Sequence, residues 1–134
     1  MELSDHDLGP VPAENFRVSR AEFAALWAAV EQQAAEQARR HVTDWHTAGV
    51  LMTCRWLAHA MVPTGNGAKR LERSPVTERL TRAYPELIEQ ECLAVERLAM
   101  REPLPEWVRA RPGWIEAVAA TLNWTWRESG QPPL

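Results

Sequence analysis

The sequence predicts an all-α fold, a four- or five-helix bundle with a long or kinked first/central helix over about 19–61. Three observations carry that expectation. Apolar residues recur at spacings of three and four along most of the chain, alanine is abundant, and the β-branched runs that strands favour are missing. A chain of 134 residues with 46% hydrophobic and 25% charged side chains suits one domain with a real core.

Residues 1–18 are acidic, contain prolines at 10 and 12 and lack periodicity, so they read as a flexible arm, with Phe16 placed to fold back as a staple. The start has neither the basic residues nor the apolar run of a signal peptide, and a cytoplasmic location is expected. A helical domain then spans 19–130, and 131–134 form a tail.

The first helix opens at Ser19-Arg20-Ala21-Glu22, a capping-box pattern in which two side chains satisfy orphan backbone donors. At 100° per residue, Phe23, Leu26, Trp27, Val30, Ala34, Ala38 and His41 form one stripe, and Glu31, Gln32, Glu36 and Arg39 lie opposite. No glycine or proline interrupts the chain until Gly49, and Trp45, Ala48, Met52, Trp56 and His59 continue the same seam. One helix over 19–61 would run to roughly 60 Å at about 1.5 Å per residue. That is too long for one small chain to cover, and it favours a homodimer. A break at Thr43-Asp44, either of which could cap a new helix, gives a compact monomer instead.

Residues 45–62, WHTAGVLMTCRWLAHAMV, are apolar nearly all round, with Val50, Cys54, Leu57 and Met61 forming a second face. A membrane span is excluded by Arg55 and His59, since a mid-helix arginine costs roughly 2.5–3.5 kcal/mol on insertion. The segment is therefore expected to be the central helix of the bundle. The glycines and prolines of residues 62–75 make a loop. Ser74-Pro75 resembles an N-cap and first helical residue of a short helix through about Ala83. Pro85 restarts the chain into a helix with Leu87, Ile88, Val95, Leu98 and Ala99 inward. A last helix runs from near Pro112 to about Glu128, with Trp114, Ile115, Val118, Ala119, Leu122 and Trp126 inward and Gly130 as its C-terminal cap.

The net charge of −3 disfavours generic nucleic-acid or anionic-membrane binding. Charge is nevertheless uneven, with five basic and two acidic residues from Lys69 to Arg82. Lys69, Arg70 and Arg73 beside Gly65 and Gly67 could present charge and backbone donors to a phosphate or nucleic acid, although no Walker pattern is present. A solvated turn is the simpler reading.

Four polar residues fall on apolar faces. Glu91 lies within the arc of Leu87, Ile88, Val95 and Leu98, where an unpaired carboxylate is costly. An internal ion pair with Arg55 or a histidine is expected; a catalytic carboxylate with a raised pKa and an exposed helix edge are the alternatives. His41, His59 and Glu91 could jointly hold a metal, but the i, i+3 or i, i+4 histidine spacings of bundle metal sites are missing. No resident metal or cofactor is expected. Cys54 and Cys92 read as buried free thiols.

Seven tryptophans are present, and most fit core stripes. Trp124 points away from Trp126 beside Ala117 and Ala120, as an interface anchor would, and Trp107 in its short turn is a second candidate. No acid/base pair or Ser-His-Asp signature is assembled. The expected function is a non-enzymatic helical interaction module, adaptor or regulatory, that self-associates or binds another protein. The alternatives are nucleic-acid or phosphate-ligand binding through 69–82, and a small-ligand or metal-binding bundle with a Trp-lined cavity bordered by His59 and Glu91, with catalysis open.

Overall fold

The computed structural model describes residues 11–134. Within them the chain is helical, with a short 3-10 turn (Ala13–Asn15) followed by α1 (Arg20–Arg39), α2 (Trp45–Leu57), α3 (Pro85–Ala99), α4 (Glu106–Arg109) and α5 (Trp114–Thr125). The expected all-α bundle is present. The first ten residues of the expected arm lie outside the described residues. From Val11 onward the chain packs on the core, with Val11 and Phe16 buried and Phe16 stacked on Phe23 at 4.5 Å.

The Ser19 capping box forms in both directions, Glu22 N–H to Ser19 Oγ and Ser19 N–H to Glu22 Oε2, each at 3.1 Å. The long or kinked helix expected over 19–61 is two helices, with the break at the Thr43-Asp44 alternative. The chain turns at 40–44, where His41 takes φ +56° and the Val42 N–H returns to the Gln37 carbonyl at 2.9 Å. Asp44 then caps α2, accepting the His46 N–H at 3.0 Å and the Thr47 N–H at 3.4 Å. Gln37 donates to Asp44 Oδ2 and Gln33 to Thr47 Oγ1, so polar side chains fasten the two helices at the turn. Ala38, His41 and Val42 are consequently exposed rather than on a buried seam. With α2 folded against α1, the length argument for a dimer no longer applies.

Helix α2 packs against α1 on one side and most extensively against α5 on the other. Close approach there depends on Gly49, since a β-carbon at this position would lie 2.7 Å from the Trp114 carbonyl oxygen and 2.8 Å from Ala117 Cβ. After α2 the expected loop contains a small antiparallel hairpin, β1 (Met61–Pro63) with β2 (Lys69–Leu71), in the register Met61–Leu71, Val62–Arg70 and Pro63–Lys69.

The short helix expected from Ser74 is absent. Ser74 organises an isolated turn, in which Ser74 Oγ accepts the Arg79 N–H at 2.8 Å and shares a hydrogen bond with Thr77 Oγ1 at 2.7 Å. The Val76 and Thr77 N–H groups go to a side chain of α3, the Glu78 N–H makes a single helical bond to the Ser74 carbonyl at 3.0 Å, and Glu78 then takes φ +55°, which ends the turn before a helix can propagate. Helix α3 buries Leu87, Ile88, Cys92, Val95 and Leu98, while Ala99 is exposed. Helix α5 is shorter than expected, opening after Gly113 at φ +89° and ending at Thr125. Among the described residues no helix is long and apolar enough to cross a membrane.

Candidate functional site

Trp107, Arg111 and Trp114 are spaced i, i+4 and i+7, which on a helix places them on one side. Here α4 ends at Arg109, and the Arg111-Pro112-Gly113 turn carries the same side into α5. The Trp107 and Trp114 rings meet edge to face at 5.5 Å. Trp45, at the start of α2, completes a three-ring cradle. The Arg111 guanidinium carbon lies 5.2 Å from the Trp45 ring centre, 5.5 Å from Trp107 and 5.6 Å from Trp114. Each such contact is worth about 0.5–1 kcal/mol, enough to hold the side chain in place.

Aromatic rings satisfy the guanidinium's charge in part but accept none of its in-plane N–H groups well. Among the described residues no carboxylate lies within ion-pair distance of Arg111 and none of its side-chain N–H groups has an acceptor. The buried Trp114 indole N–H likewise has no acceptor among them. Arg111 opens into a cleft of about 260 Å³ whose other walls are Met52, Pro75, Val76, Glu78 and Trp107. Trp107 is 42% exposed, so one wall of the cleft faces outward.

Glu91 shapes this cleft from behind. It is buried as the sequence indicates, but it pairs with neither Arg55 nor a histidine. Its carboxylate accepts the Val76 N–H at 2.5 Å, the Thr77 N–H at 3.1 Å and the Thr77 hydroxyl at 2.7 Å. It therefore fixes the 74–79 turn, which carries Pro75, Val76 and Glu78 into the cleft. Glu91 is a positioning residue here.

The internal ion pair expected of Glu91 is made by Glu31 instead. Arg55 donates Nε to Oε2 at 2.8 Å and Nη2 to Oε1 at 2.7 Å, and the Trp27 indole adds a third hydrogen bond at 3.0 Å. Hydrogen bonding to Glu31 raises the Arg55 pKa against the lowering effect of burial. The expected outer-face position of Glu31 is thus corrected: it is 2% exposed, because α2 covers that side of α1. Trp27 and Glu31 stand at i, i+4, a spacing at which an indole donor reaches a carboxylate, and that signal was legible.

His59 and His41 do not join Glu91. His59 sits after α2 at φ +57°, with Nε2 2.6 Å from the Ala83 carbonyl oxygen and 3.2 Å from Asn15 Nδ2. Asn15, fully buried, also donates to the carbonyls of Leu57 and Ala83, and so ties the N-terminal segment to the entry of α3. His41 is exposed in the α1–α2 turn. No three or more His, Cys, Asp or Glu gather as metal ligands among the described residues. The cleft beside Trp107 is bordered by Arg111 and Glu78, and neither His59 nor Glu91 lines it. Burial raises the pKa of both thiols, Cys92 to about 11 and Cys54 further, so neither is a ready nucleophile at neutral pH.

Two of the three basic residues at the hairpin are engaged with backbone carbonyl groups. Arg70 donates to the Leu71 carbonyl at 3.0 Å and Arg73 to the Glu78 carbonyl at 3.3 Å, while Lys69 is exposed at the end of β2. Trp124 is partly buried against the core and lines a groove with Ala25, Leu26, Ala29, Pro132 and Leu134. The C-terminal tail borders this groove, and His46 Nε2 holds it through the Pro133 carbonyl oxygen at 2.8 Å.

No protein family, curated protein or solved structure matches the chain.

Proposed function

We propose that the protein acts by recognition and not by catalysis: a non-enzymatic binding module whose contact site is the Trp107–Arg111 cleft. The observation that supports this reading is the Arg111 guanidinium, oriented by three indole rings and left without a carboxylate among the described residues. A fork of N–H donors beside Met52, Pro75 and Val76 suits a carboxylate carried next to an apolar group. Either a protein partner or a small molecule can present that combination. Self-association remains compatible with this reading but is not required by it.

Calorimetric titration with N-acetyl-L-leucine, which joins one carboxylate to one apolar side chain, tests the reading. Saturable binding is expected, weakened about tenfold or more in Arg111→Gln, as befits loss of a charge-assisted contact. Equal binding by wild type and variant, or none by either, would overturn it.

A further inference from the structure

The same cleft holds a second charge of opposite sign. Glu78 lines it together with Arg111, yet the two make no ion pair, and no cation lies within ion-pair distance of the Glu78 carboxylate among the described residues. Each residue is placed at the cleft by a different part of the fold. Arg111 is fixed by its three tryptophans. Glu78 takes φ +55°, a conformation that a β-carbon disfavours, and is kept there by its N–H bond to the Ser74 carbonyl at 3.0 Å and the Arg73 guanidinium on its own carbonyl oxygen. The turn that carries it is fixed in turn by Glu91.

Resting on the recognition reading above, we propose that the cleft binds a free α-amino acid with an apolar side chain. Its carboxylate meets Arg111, its ammonium meets Glu78, and its side chain lies among Met52, Pro75, Val76 and Trp107. The cleft of about 260 Å³ suits a ligand of this size, and a zwitterion offers a partner to each of the two charges, where a simple carboxylic acid would leave Glu78 as a repulsive neighbour.

Titration of the whole protein with L-leucine, L-leucinamide and N-acetyl-L-leucine separates the contributions, since the amide lacks the carboxylate and the acetyl compound lacks the ammonium. L-leucine is expected to bind about tenfold or more tighter than either derivative. Glu78→Gln should reduce L-leucine to the level of N-acetyl-L-leucine and leave the latter no weaker, with an unchanged melting temperature because the side chain is exposed. If N-acetyl-L-leucine binds as tightly as L-leucine and Glu78→Gln changes neither, the amino-acid proposal is overturned while carboxylate recognition stands. If no compound binds, both fall.

Discussion

The Arg55 guanidinium meets the Glu31 carboxylate at two points, 2.8 and 2.7 Å, across the α1–α2 interface. Because Glu31 is almost fully buried, the pair is more important for register than for net stability: removing one partner strands a charge, whereas removing both does not. Arg55→Met should therefore cost about 3–5 kcal/mol, and the double variant Glu31→Met/Arg55→Met should recover much of that loss. Chemical denaturation of the two variants checks it. A double variant as unstable as the single would show that the loss comes from packing.

Gly49 sets the distance between α2 and α5. In an exposed helix, replacing glycine by alanine stabilises by about 1 kcal/mol. At this position the added methyl meets the Trp114 backbone oxygen and Ala117, and neither can yield without moving α5. Gly49→Ala should destabilise by about 1–3 kcal/mol, read as a lower melting temperature.

Asp44 gives the fold an acid-sensitive joint. Burial acts to raise its pKa, but hydrogen bonds from Thr47, Gln37 and the His46 backbone outweigh it, and the pKa lies below the ordinary 3.8. The folded state therefore binds this proton less readily than the unfolded state. The contribution is complete above about pH 5, declines as the pH falls through 3.8 and is gone below the folded pKa. Asp44→Asn should show a flatter stability profile across that window. A profile parallel to wild type would contradict the assignment.

Glu91 should act on the cleft through the turn it holds. In Glu91→Met the side chain offers no acceptor oxygen to the three donors. The Val76 and Thr77 amides, bonded to Glu91 Oε2, should exchange with solvent faster, while amides in the middle of α5 remain protected. Uniform acceleration across the protein would make Glu91 a general stability residue instead.

Much of the scaffold was legible in the residues. The Ser19 capping box, the inward stripe of α1 as far as Val30, the arc of α3 from Leu87 to Leu98 and the all-round burial of α2 follow from spacing alone. The α1–α2 break was harder because no glycine or proline marks it; His41 takes the left-handed conformation that usually identifies such a turn. The site was less legible. Glu91 stood out as a charge on an apolar arc, but its partners are backbone donors of a turn, and backbone groups leave no trace in side-chain patterns. Glu31 reads as outward in the sequence because its burial depends on which side α2 covers. Trp107 stands out in its short turn, whereas Arg111 reads as an ordinary surface cation although its spacing from Trp107 and Trp114 carries the signal; Trp45 joins them only through tertiary folding.

The proposal that Arg111 and its tryptophan cradle receive a carboxylate from outside the described fold is tested most directly by the NMR response of the Arg111 Nε–H and Trp107 indole N–H signals as N-acetyl-L-leucine is added. The account predicts that both move saturably and yield one dissociation constant. Stationary signals at both positions, or a response confined to the Trp124 groove, would contradict it.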